Sequence, residues 1–317
     1  MQSRNRVKQR CEEPCVSMTG SSSPGAPSSS AWQQLCKRSR GWLGAVLRAG
    51  PIPQHVAFIM DGNRRFAERL HLERFSGHQM GYQKLLDALE WCLDLGVQCV
   101  SVYAFSIENF RRSPEEVATL MALAEEKLQQ LLTERELVDQ YGIQIRVIGD
   151  LSLLPAHVRA SAQHVMQATQ HNSRGILNIC FSYTSRQEMS QAVARAQASL
   201  QQGVIAPQDV TVSYLEDLLY TRGCPPVDLL IRTSGESRLS DFLLWQSGFA
   251  QLVFTDVLWP DFTFMQLLRA IVAFQSNAAH LAALRQRSKD CIAHHEREAR
   301  LQLQGSQESA SCTDCKH

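Results

Sequence analysis

Short apolar runs rich in Val and Ile alternate with amphipathic stretches between Pro51 and Ser288, and this alternation constrains the fold more than any other feature. The runs are His55–Met60, Val97–Phe105, Ile143–Ile148, Ile176–Phe181, Val227–Ile231 and Leu252–Phe254. They are apolar on both faces, as strands of a parallel sheet covered on both sides must be. Between them, Tyr82, Leu85, Leu86, Leu89, Cys92 and Leu93 recur at helical spacing. So do Val117, Leu120, Met121, Ala124, Leu128, Leu131 and Leu132. Ser113-Pro114-Glu115-Glu116 opens the second of these helices as a capping box with Pro at the first helical position. The expected fold is therefore α/β, with an open, mostly parallel central sheet flanked by helices. Ligands of such sheets bind beyond the carboxyl ends of the strands.

The flanks differ from this body. Residues 1–30 are polar, with a Ser/Pro/Gly-rich core, and are expected to be disordered. Residues 31–50 interleave Trp32, Leu35, Trp42, Leu43, Val46 and Leu47 with Lys37, Arg38, Arg40 and Arg48. That pattern is a short basic amphipathic helix, which either packs on the domain or touches a membrane surface. Residues 51–288 form the expected catalytic domain. Residues 289–317 are a polar tail, expected to fray after a last helix. No segment nears the roughly 20 apolar residues of a membrane span, and no secretory signal is present, so a soluble or peripheral, cytosol-facing protein is expected. Net charge is +1, which gives no argument for nucleic acid as a partner. Of the 10 cysteines, Cys92, Cys99 and Cys180 fall in apolar segments and read as reduced buried thiols. Cys312 and Cys315 form a lone C-x-x-C with no second pair beside it.

Three of the apolar runs open onto polar clusters. The first is Asp61-Gly62-Asn63-Arg64-Arg65, after Met60. Gly62 permits a tight turn, the following helix would point N–H groups at an anion, and Arg64 and Arg65 suit phosphate oxygens. Asp61 would repel phosphate unless a divalent cation bridges them, which Mg²⁺ does routinely. An N-capping Asp beside solvated arginines is the alternative. Arg74, Gly77 and His78 follow and would add a cation, a turn and a hydrogen-bond donor. The second cluster follows Phe105 and presents Ser106, Asn109 and Arg112 beside Phe105 and Phe110, a mixture suited to a ligand with an oily body and a charged head. Its alternative is an ordinary capped loop. The third runs from Arg232 to Ser240, where Arg238 and Ser240 would hold a second phosphate near the start of a helix. No G-x-x-x-x-G-K-[ST] and no G-x-G-x-x-G occurs, so nucleotide triphosphatases and dinucleotide enzymes gain no support. Two anion sites and one carboxylate point to two diphosphate substrates meeting at one metal.

Together these motifs resemble the cis-prenyltransferase (undecaprenyl diphosphate synthase) family. Its D-G-N-x-R signature is matched by Asp61, Gly62, Asn63 and Arg65, and its S-x-E-N motif by Ser106-Ile107-Glu108-Asn109. Its R-T-x-G-E-x-R-x-S motif is matched by Arg232 through Ser240, and Phe254 through Pro260 also looks like the family. The resemblance runs in order from about Pro51 to Ser276. It extends to the animal dehydrodolichyl diphosphate synthase catalytic subunits at Ala49-Gly50-Pro51 and Trp245-Gln246. It implies repeated cis-condensation of isopentenyl diphosphate onto farnesyl diphosphate, giving a long polyprenyl diphosphate for dolichol and protein glycosylation. It implies that Asp61 places Mg²⁺, and that Arg64, Arg65 and Arg74, with backbone at Gly62 and Asn63, hold the allylic diphosphate. Arg232, Arg238 and Ser240 would hold isopentenyl diphosphate, while His78, Ser106, Asn109 and Arg112 line the reacting centre and Phe105 is a further substrate contact. An apolar product tunnel is implied between the sheet and the Tyr82–Leu95 and Val117–Leu132 helices, with small Ala104 near its mouth.

Two departures from the family's single-chain bacterial members stand out. Their acidic residue six positions after the W of L-L-W is Gln251 here, and their terminal R-x-G has no counterpart after Phe274. Both imply a heteromer with a Nogo-B receptor-like regulatory subunit supplying the R-x-G, peripheral on the cytosolic face of the endoplasmic reticulum membrane. The alternatives are a self-sufficient homodimer and a non-catalytic scaffold of the same fold. Scaffolds lose the Asp and arginines that this chain keeps.

Overall fold

The structure is a computed structural model that describes residues 40–133 and 142–313. Residues 1–39, including the expected disordered segment and the first part of the amphipathic helix, lie outside the described residues. The chain divides into two units, Met1–Trp42 and Leu43–His317. Of the first, only residues 40–42 are described, as part of a helix over 40–47, α1.

The second unit holds one sheet of β1 (His55–Ile59), β2 (Cys99–Ser106), β3 (Ile143–Ile148), β4 (Gly175–Tyr183), β5 (Leu229–Arg232) and β6 (Gln251–Phe254). All its pairings are parallel, in the order β3-β4-β2-β1-β5-β6. Every residue of β1 and of β5 is buried, which is why neither run alternates in polarity. The helices are α2 (Asn63–Arg69), α3 (Arg74–Leu95), α4 (Pro114–Thr133), α5 (Ala156–Ala168), α6 (Ser185–Gln201), α7 (Val212–Leu218) and α8 (Phe264–Thr313). Each expected strand is present, β3 with the expected ends and the others with ends moved by at most two residues.

Local chemistry accounts for the helix ends. Ser113 Oγ accepts the Glu116 N–H at 3.3 Å at the start of α4, one half of the expected capping box. The Glu116 carboxylate instead turns to Arg112. The C-terminus of α3 is closed at Gly96, φ +93°, where the Val97 N–H reaches back to Cys92 O at 2.9 Å. One face of the sheet packs Phe58, Val100, Val102 and Phe105 against α3, α4 and the first turns of α8. The other face buries Ala57, Ile59, Cys180 and Tyr183.

Three expectations need correction. The chain does not fray beyond Arg287, because α8 continues as one helix to Thr313. Within it, Phe264–Gln302 contains a window of mean hydropathy 1.2, long and apolar enough by composition to cross a membrane. Its apolar character has a local cause, since Leu267, Leu268, Ala270, Ile271 and Phe274 are core residues. Nor does a helix follow Ser240. Positive φ at Ser240, Asp241 and Leu243 keeps that segment in turns. The side chain of Cys312, and Cys315 altogether, lie outside the described residues.

Candidate active site

The sheet order places β2, β1 and β5 side by side, so their three polar clusters meet at one edge of the sheet. Strand β1 is also where the order reverses, with β2 on one side and β5 on the other, the usual position of a binding crevice in an open parallel sheet. A cavity of about 800 Å³ opens there, within the range of small-molecule sites.

Arg232 ends β5 in register with Ile59, the last residue of β1, and Asp61 stands two residues beyond Ile59. Arg232 is almost wholly buried, its side chain 4% exposed, and donates from Nη2 to Asp61 Oδ2 at 2.8 Å. Its Nη1 donates to Ser240 Oγ at 2.7 Å and to the Arg238 carbonyl, so one guanidinium holds the far end of the third cluster. The Gly62 N–H donates to Asp61 Oδ1 at 2.7 Å. Burial pushes the Asp61 carboxyl up, but Arg232 and the Gly62 N–H outweigh it and hold the pKa below the ordinary value. Asp61 is therefore a half-buried, ionised group, and the N-capping alternative is not what forms: α2 is capped by Gly62 without a side-chain bond.

The glycines here meet close backbone. Gly62 has φ +101°, and a Cβ there would press on Leu258 and Ser234. Gly77 makes no turn. It lies inside α3, where a Cβ would run into the Asn63 carbonyl oxygen, so it is the residue that lets α2 and α3 touch. The Phe254–Pro260 segment clamps the same corner from outside. The Trp259 N–H donates to Asp61 O at 3.0 Å, and its indole donates to Gly81 O at 2.8 Å.

Arg64 and Arg65 are exposed at the rim. Arg65 donates to Ser234 O at 2.8 Å, and Arg64 lies 3.6 Å from Glu116, which also takes Arg112 at 2.9 Å. His78 lines the cavity, and burial, then Arg112 and Arg64, lower its pKa, leaving a neutral imidazole at pH 7. Ser106 and Asn109 line it too and cap one another's turn. The Ser106 N–H donates to Asn109 Oδ1 at 3.0 Å, and the Glu108 N–H donates to Ser106 Oγ at 3.2 Å. The capped loop of the alternative reading is therefore present, and the same residues face the cavity. Arg238, exposed and paired with Glu236, and Ser240 complete the polar wall. Arg74 opens α3, and its side chain lies outside the described residues.

Deeper in, the lining turns apolar: Leu85 from α3, Leu120, Leu128 and Leu131 from α4, and Ile179 and Phe181 from β4. This is the expected tunnel between the sheet and the two helices. Ala104 is at its mouth, where β2 shifts register between Tyr103 and Phe105, and Phe105 stacks on Phe181 with centroids 5.3 Å apart.

Sequence reasoning missed Arg186, which lines the cavity and donates from Nε to Asp241 Oδ2 at 2.8 Å. The strand-end argument applied to β4 would have found it, since Arg186 stands just beyond Tyr183. Gln251 is placed away from this cavity. It begins β6 at the opposite end of the sheet, where its Oε1 accepts from Asn277 at 2.8 Å.

Residues 59–282 match the prenyltransferase family described as undecaprenyl diphosphate synthase. The chain is 46% identical over 273 residues to the dehydrodolichyl diphosphate synthase complex subunit DHDDS of Homo sapiens, covering 86% of this chain and 79% of that one. It is 44% identical over 231 residues to a dehydrodolichyl diphosphate synthase complex subunit of Schizosaccharomyces pombe, covering 73% and 88%. Among solved structures, lavandulyl diphosphate synthase from Lavandula x intermedia, in complex with dimethylallyl diphosphate, superposes with a TM-score of 0.67 at 33% identity, over 71% of this chain and 95% of that one. With an acid-and-arginine rim opening onto an apolar tunnel, and with this similarity across most of its length, the chain belongs to the undecaprenyl diphosphate synthase family of prenyltransferases.

Proposed function

We propose that this chain is the catalytic subunit of a dehydrodolichyl diphosphate synthase, joining isopentenyl diphosphate to farnesyl diphosphate in successive cis-condensations. The observation that carries this reading is one continuous cavity with a cationic rim and an apolar interior. Arg64 and Arg65 suit the allylic diphosphate, and Arg232, Arg238 and Ser240 suit that of isopentenyl diphosphate. The allylic C–O bond breaks, and its electron pair leaves with the diphosphate, whose growing charge the arginines stabilise. The C=C of isopentenyl diphosphate bonds to the allylic carbon, and loss of a proton from the adjoining methylene sets the new double bond. The lengthening hydrocarbon then enters the space between the sheet, α3 and α4.

Mg²⁺ fits the donor set. Asp61 is ionised, and among the described residues no group of three or more His, Cys, Asp or Glu side chains forms a protein cage. Mg²⁺ commonly binds through one carboxylate plus substrate phosphates and water. Bound there, it would neutralise charge on the departing diphosphate.

A regulatory subunit of the Nogo-B receptor kind completes the reading. The relatives above are named as complex subunits. Edge strand β6 exposes Leu252 and Phe254, with Trp245, Phe249 and Val272 also exposed, an apolar surface suited to a partner. The basic amphipathic stretch 31–50, with Val46 exposed, supports peripheral attachment to the endoplasmic reticulum membrane. The test is incorporation of labelled isopentenyl diphosphate by purified chain with farnesyl diphosphate, with and without a partner bearing a terminal R-x-G. Weak activity alone and a strong increase with the partner are expected. Full turnover by partner-free protein would favour the homodimer.

A further inference from the structure

On the sheet face opposite the tunnel, Cys99 opens β2 and Cys224 hangs from the loop between α7 and β5. Asn178 Nδ2 lies 3.4 Å from both sulfurs, so the two thiols share one donor. Arg146 Nη1 donates to Cys224 Sγ at 3.3 Å and to Arg222 O at 3.0 Å, which anchors the cation beside the thiol. Cys99 is buried, while Cys224 is only partly covered. Gly223, just before it, has φ +75° and open space around it, which leaves the loop room to adjust. Nothing in the prenyl-transfer chemistry uses these groups.

We propose that Cys99 and Cys224 form a redox-responsive dithiol that closes into a disulfide on reaction with a low-molecular-weight disulfide such as glutathione disulfide. Cys224 attacks first. A partly exposed cysteine with a cation and an amide donor at its sulfur is the reactive kind. The bond from Cys99, opposed by burial and helped by Asn178 and Arg146, brings the Cys224 thiol down to about 6. The same bond and burial push Cys99 well up. The other titratable or charged groups nearby are Cys180, which bears on Cys99, and His55, held neutral behind Ser101.

The steps balance. Cys224 thiolate bonds to one glutathione sulfur and expels a glutathione thiolate. Cys99 then attacks the Cys224 sulfur of the mixed disulfide and expels the second. Two electrons pass from the pair to glutathione disulfide, and the protons of the two cysteines end on the two glutathione thiols.

The test treats the full chain with glutathione disulfide, blocks remaining thiols by alkylation, and maps peptides without reduction. The expected result is a Cys99–Cys224 cross-linked peptide, with both thiols lost together. Cys224→Ser should leave Cys99 free, and Cys99→Ser should stop at a glutathione adduct on Cys224. In untreated protein, alkylation of Cys224 should level off above about pH 7. Arg146→Gln should move the Cys224 midpoint up by about one unit. A stable glutathione adduct on wild-type Cys224 with Cys99 still free would overturn the proposal. So would Cys224 reacting at pH 6.5 no faster than Cys291. Both results come from unmodified protein, so neither depends on a variant folding.

Discussion

Arg232 reaches across 2.8 Å from the end of β5 to the carboxylate of Asp61 beyond β1, and so ties the two arginine clusters into one unit. The sequence presents them as separate anion sites. The structure makes them one charge network, in which the buried Arg232 guanidinium is neutralised by the very carboxylate suited to a metal.

Asp61→Ala should lower turnover on the order of 100-fold or more, as loss of a charge-stabilising group does. It should also cost about 1–3 kcal/mol of stability, because it strips a partner from a buried guanidinium. Asp61→Asn keeps an acceptor oxygen and should recover most of the stability without the activity. Initial rates and urea melts of the two variants check both halves. Activity of either within threefold of wild type would remove Asp61 from the mechanism.

Arg238→Ala should act differently from any change at Arg232. Arg238 is 63% exposed and pairs with Glu236, so the fold should be unaffected. The Michaelis constant for isopentenyl diphosphate should rise roughly 10-fold or more, from the loss of a bond worth about 1.5–3 kcal/mol to a charged group. A rise only in the farnesyl diphosphate constant would reverse the assignment of the two subsites.

Gly77→Ala should damage the site without touching any ligand. Its Cβ would meet the Asn63 carbonyl, a backbone atom that cannot swing aside. The cost should be about 1–3 kcal/mol, as for overpacking generally, with a fall in activity because Asn63 carries Arg64 and Arg65 with it. Thermal melts and rates that both match wild type would show that α2 and α3 separate freely.

His55 sets a pH dependence of stability. It is fully buried, with Nε2 2.8 Å from Ser101 Oγ and Nδ1 2.8 Å from Pro225 O. Burial, opposed by the Pro225 bond and Asp228, lowers its pKa from 6.5 to about 4. Between those values the unfolded chain binds the extra proton, so stability falls as pH drops from 6.5 to 4 and is flat above. The loss should approach about 3 kcal/mol. Melting temperatures of wild type and His55→Gln from pH 4 to 7 check this, and the variant should lose that component of the slope.

The sequence determined the elements and most of the polar residues that line the cavity. Apolar runs without alternation are visible because burial on both faces is a local property of each strand. Asp61, Asn109 and Arg232 are visible because strand ends hand over abruptly to polar residues. Tertiary structure decided which ends meet, since strands far apart in sequence choose neighbours by packing a common core, and no local pattern encodes the order β2-β1-β5. The same reason hid Arg186, the Asp61–Arg232 pair and the shared donor of Cys99 and Cys224, each made by contact between distant segments. It also explains the errors at Gly77 and Ser240. A glycine at a turn and a glycine under a neighbouring helix look alike in sequence, and the irregular path after Ser240 is held by bonds to Arg232 and Tyr103 from other strands.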